Sequence, residues 1–107
     1  MNLYFYMLRK RLEVKECEAL KRNGLIRPTE GFFPMGRGSY IIESDIGKAK
    51  EDNFGGTPFV ILNEPNMEKA KQILTEQYID VKIGNYKKKI ACLEEKRKVI
   101  LEAKEGE

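Results

Sequence analysis

Between residues 31 and 56 the chain carries Gly31, Gly36, Arg37, Gly38, Gly47, Lys48, Gly55 and Gly56. Glycines let backbone amides approach a ligand closely, and the two cations suit an anion such as a phosphate. Phe32 and Phe33, followed by Pro34 and Met35, make the preceding segment too apolar for an ordinary solvated loop. The two rings can stack on a base while Arg37 pairs with phosphate; a loop folded back to plug the core accounts for the same composition. The expected ligand-binding set is therefore Phe32, Phe33, Gly36, Arg37, Gly38, Tyr40, Gly47 and Lys48. Its spacing matches neither a Gly-Lys-Ser phosphate loop nor a dinucleotide fingerprint.

Catalytic chemistry has no comparable foothold. The chain contains no histidine, so the usual proton shuttle near neutral pH is missing. Neither Cys17 nor Cys92 has a histidine to activate it, and no carboxylate and cysteine cluster has metal-ligand spacing. Glu43, Asp45, Glu51, Asp52 and Glu64 can act as acids or bases only if the fold gathers them; surface solvation is their ordinary role. The expectation is no catalytic residue, no metal, no cofactor and no enzyme.

The elements that hold these residues follow from hydrophobic spacing. Residues 3–8 are apolar throughout and read as a central strand covered on both faces. Lys15 to Asn23 reads as a short helix with Val14, Cys17 and Leu20 on one side, ended by Gly24. Ser39 to Ser44 reads as a second strand, and Asp45 can cap a helical turn or two through Lys50. Pro58 to Leu62 is a third strand, and Asn66 caps a helix to about Gln77 with Met67, Ala70, Ile73 and Leu74 inward. Ile79, Val81 and Ile83 alternate with polar residues as a half-exposed fourth strand would. A last helix follows from about Tyr86 to Lys104. The predicted fold is α+β, a ferredoxin-like βαββαβ sheet in residues 1–85 with an added C-terminal helix and polar tail in residues 86–107. Tyr4, Tyr6 and Leu8 share one face of the first strand and Leu3, Phe5 and Met7 the other, so the second face needs the last helix or another subunit.

That last helix places Tyr86, Ile90, Leu93, Arg97 and Ile100 at alternating spacings of four and three, a heptad-like seam interrupted by one cation. Packing on the chain's own sheet explains it first, pairing with a second copy next, and nucleic-acid binding through Lys87 to Lys89 is a weaker third reading. The favourable Glu94 and Lys98 pair belongs to its solvated surface.

Composition narrows the class. With 107 residues, 41% hydrophobic, the chain is the size of one domain that would gain from oligomerisation. Its apolar runs are too short to cross a bilayer, and a secretory leader pattern is lacking, so a cytoplasmic location with free, packed thiols is expected. A net charge of +3 is too mild to imply nucleic acid, although Arg9-Lys10-Arg11, Lys21-Arg22 and Lys87-Lys88-Lys89 form basic runs.

Leu3-Tyr4-Phe5-Tyr6, Ala19-Leu20 with Gly24-Leu25-Ile26-Arg27-Pro28, Gly38-Ser39-Tyr40, Ala49 and Pro58-Phe59-Val60-Ile61 together resemble small ADP-ribosyltransferase-like domains over residues 3–62. The resemblance implies an early strand followed by a helix, a Gly-x-Ile-x-Pro turn and a Gly-x-Tyr strand. Phe5 stands where that family's NAD-contacting histidine would fall, and no later catalytic glutamate can be placed. It thus implies a nucleotide-shaped cleft near Arg27, Arg37 and Tyr40 without transferase activity. Three functions fit the residues. The first is a non-enzymatic, homo-oligomeric module that captures an anionic, nucleotide-like ligand. The second is a small inhibitor or adaptor, of the phage or mobile-element type, that binds a host protein. The third is a degenerate ADP-ribosyltransferase-like domain.

Overall fold

The computed structural model describes residues 1–29, 40–52 and 55–104. Among them are the strands β1 (Asn2–Leu8), β2 (Leu12–Arg22), β3 (Leu25–Pro28), β4 (Ile41–Ile42), β5 (Ala49–Glu51) and β6 (Pro58–Leu62), then the helices α1 (Met67–Leu74) and α2 (Asp80–Glu102). The strands form one curled sheet in the order β4-β3-β2-β1-β6-β5, and every described pairing is antiparallel. The architecture is α+β, but this strand order is not that of a ferredoxin-like sheet.

β1 is interior, as its unbroken apolar run requires. β6 lies beside it, with Phe5 opposite Ile61 and Tyr6 opposite Val60. On the other side is β2, where a helix was expected. Val14, Cys17 and Leu20 suit a helical face, yet seven register pairs from Asn2↔Glu18 to Leu8↔Leu12 zip the segment onto β1. Pairing separates the three: Cys17 is buried, while Val14 and Leu20 lie exposed on the opposite face. Gly24 does not end a helix. Asn23 and Gly24 both have positive φ, 53° and 77°, the geometry of the tight two-residue turn that joins β2 to β3. Residues 12–22 are therefore not the helix that the ADP-ribosyltransferase-like resemblance implies after the first strand.

Two clusters make the core, one on each face of the sheet. On one face Tyr6, Val60 and Leu62 pack with Ala70, Ile73 and Leu74 of α1. The Asn66 side chain caps α1 by accepting a hydrogen bond from the Lys69 amide at 3.0 Å, as its sequence indicates. Tyr6 ties the loop down, its hydroxyl accepting from the Asn66 amide at 2.9 Å. On the other face Leu3, Phe5, Met7, Cys17, Ala19, Phe59 and Ile61 pack with Ile26 of β3, Ile41 of β4 and Ile46. Curling of the sheet, not the last helix, brings β3 and β4 over this face. The segment expected to be helical from Asp45 to Lys50 is a single tight turn at Glu43–Asp45 followed by β5.

The expected fourth strand is also absent from residues 79–83. Residues 75–79 form one wide helical turn that joins α1 directly to α2, so a helical rod runs from Met67 to Glu102. Once α1 is nucleated, each further residue adds a hydrogen bond at small cost, and Gly84 penalises the helix by only about 1 kcal/mol.

Candidate interaction surface

α2 is rich in Lys, Glu, Leu and Ala, which are good helix formers. It leaves the sheet and is exposed along almost its whole length. The radius of gyration is 20.0 Å, against about 13 Å for a globular chain of this length, and the long axis measures 69 Å. Extending the helix back to Asp80 adds Ile83 to the seam, which now reads Ile83, Tyr86, Ile90, Leu93, Arg97 and Ile100 at spacings of three and four. Ile83 is 46% exposed and Ile100 72%, with Tyr86, Ile90 and Leu93 between them in that range. Packing of this seam on the chain's own sheet is thereby excluded. Ile90, Leu93, Glu94 and Arg97 line a shallow hollow on the seam. Four residues at i, i+3, i+4 and i+7 are the set that receives one side chain of a facing helix.

The wide turn fixes where α2 starts. The Gln77 side-chain oxygen accepts the Ala49 amide at 3.0 Å, and the Tyr78 hydroxyl donates to the Glu51 carboxylate. Lys82 reaches the same carboxylate at 3.6 Å. Three side chains from the wide turn and the start of α2 thus hold the exposed edge of β5. The hydrogen bond to Glu51, reinforced by partial burial, pushes the Tyr78 phenol up to about 12. Tyr4 is also raised, by desolvation and then by the Glu16 carboxylate beside it.

Phe32, Phe33, Gly36, Arg37 and Gly38 lie outside the described residues. Of the remaining expected ligand contacts, Tyr40 is exposed just before β4. Gly47 has φ of 84°, a conformation suited to glycine, but its amide donates to the Ile61 carbonyl at 2.8 Å. The Lys48 amide donates to the Asp45 carbonyl at 3.2 Å and its side chain is exposed. Both amides therefore hold the β4–β5 link in place.

The candidate carboxylates are dispersed. Glu43 pairs with Lys21 at 2.7 Å and Asp45 with Lys50 at 3.0 Å, while Glu51 serves the β5 edge. Asp52 is buried and accepts the Gly55 and Thr57 amides at 2.7 and 3.0 Å, which shapes the turn into β6. Glu64 is exposed. Among the described residues no group of three or more Cys, Asp or Glu side chains can hold a metal ion, and no helix is long and apolar enough to cross a membrane. Neither thiol is in a disulfide; Cys17 is buried as expected, whereas Cys92 is exposed on α2.

No family model matches the chain, and no curated protein or solved structure matches it. The parts of the surface that residue spacing failed to signal are Gln77, Tyr78 and Lys82, whose role depends on β5 lying alongside. Ile83 was open to detection, since it continues the spacing of three and four one step before Tyr86.

Proposed function

We propose that this chain is a non-enzymatic protein-interaction module that docks through α2. The observation that supports it is the exposed seam: five apolar side chains stand in register along a helix that is exposed along almost its whole length. Contiguous exposed apolar surface of this kind marks interaction sites. A facing groove or helix reads a docked helix through anchors at this spacing. The curled sheet acts as the base that fixes α2 by way of Gln77, Tyr78 and Lys82. This is the adaptor or inhibitor role. Capture of an anionic ligand gains less support, because Gly47 and Lys48 commit their amides internally.

A photoactivatable amino acid at Leu93, on the seam, or at Glu95, on the opposite side of α2, tests the reading in cells that make the protein. Adducts from position 93 and none from position 95 are expected. Absence of adducts at 93, or equal yields from both positions, would overturn it.

A further inference from the structure

Resting on that docking role of α2, we propose that its occupant is α2 of a second copy, packed antiparallel about a twofold axis that passes between Ala91 and Cys92. Identical subunits most often associate about such an axis, and a self-complementary surface is what it requires. The seam of α2 is self-complementary in one register only.

In that register Ile83 meets Ile100 of the second copy, Ile90 meets Leu93, and Tyr86 meets Arg97. Ile90 of the second copy enters the hollow formed by Ile90, Leu93, Glu94 and Arg97. Each aliphatic position is thus opposed by an aliphatic one. The single cation of the seam lies against an aromatic ring, where a guanidinium is attracted to the π face. Beside the seam Lys87 faces Glu94 of the second copy, and symmetry makes this contact twice. The other flank brings Lys89 towards Lys96 of the second copy. That repulsion falls on long exposed cations, whose charged ends can turn into water.

The alternatives are worse. A parallel, in-register pair sets Arg97 against Arg97 inside the seam; its flanks, Lys82 against Lys87 and Lys89 against Glu94, match the antiparallel pair in charge, so the seam decides. Sliding the antiparallel pair by one heptad opposes Lys87 to Lys87 or Glu94 to Glu94. Arg97, which weakens the seam as a hydrophobic stripe, is therefore the residue that selects orientation, a role known for single polar groups at such positions.

Sedimentation equilibrium of the full chain tests the arrangement. A dimer is expected, abolished by Leu93→Glu; Leu93 is 62% exposed, so the sheet should fold unchanged and retain its circular dichroism. Lys87→Glu should raise the dimer dissociation constant about tenfold, since two exposed pairs become repulsive. The double variant Lys87→Glu with Glu94→Lys should restore it. In a parallel dimer Lys87→Glu would instead face Lys82 and tighten association. A chain that stays monomeric at the highest attainable concentration, a dimer indifferent to Leu93→Glu, or a tighter Lys87→Glu dimer would each overturn the proposal. None of these results touches the docking role itself, which is read separately from adducts at position 93: a monomer that still cross-links there to a different protein leaves docking intact and removes only self-pairing.

Discussion

Tyr78 shows how one hydrogen bond carries both structure and a titration. Its hydroxyl donates to Glu51, and ionising the phenol would remove the donor and set two negative charges side by side. The folded value is raised from 10.0 to about 12, so the folded state holds its proton more tightly than the unfolded chain does. The stability this confers is complete below pH 10 and is lost as pH rises from there through 12. The latest-titrating component of the phenolate absorbance should accordingly be missing in Tyr78→Phe, together with a smaller alkaline loss of stability in that variant. Gly24 acts through backbone alone. With φ at 77° and no atom near the position of a Cβ, Gly24→Ala meets no clash but enters a left-handed conformation. It should destabilise the fold by about 1–2 kcal/mol in denaturant titration.

At the scale of elements, pairing decided β2 and continuity decided α2. The stretch from Leu12 to Arg22 has apolar residues at a spacing tolerable in either structure, and the β1 ladder settles it by burying Cys17 and Ala19. Residues 79–83 alternate like a strand, but α1 already supplies the preceding helical turns and the helix runs on through them. Gly84 remains a weak point in α2, on the side away from the seam, with nothing within 4 Å of an added Cβ. Gly84→Ala should raise the stability of the helix by about 1 kcal/mol, seen as a later loss of helical circular dichroism on heating. Dimer affinity should hold or improve, because the change orders the helix without touching the seam.

The whole molecule is a small curled sheet with a rod attached, 69 Å long although only 28 Å across. Antiparallel pairing of two rods would leave the sheets at opposite ends, about 100 Å from tip to tip given a helical rise of ~1.5 Å per residue. Small-angle scattering should report that maximum dimension for the wild-type chain and close to 69 Å for Leu93→Glu. A wild-type value near the single-chain length would contradict an end-to-end placement of the sheets.

Where local signals were strong, the residue order alone was sufficient. The unbroken apolar runs of β1 and β6 gave interior strands because only burial on both faces satisfies them. Asn66 gave a helix start because its side chain replaces a missing amide partner. The seam from Tyr86 to Ile100 was equally legible, since period alone defines it. The Asn23-Gly24 turn was available too, as a dipeptide that favours a hairpin, but a helix assigned to its left turned Gly24 into a cap. Other features had no local signal. Whether Cys17 lies in a strand, how β3 and β4 cover Phe5, and which side chains grip β5 depend on partners far away in the chain. Exposure of the seam is of the same kind: periodicity marks a face that wants a partner, and only the tertiary arrangement shows that the chain's own sheet does not provide one.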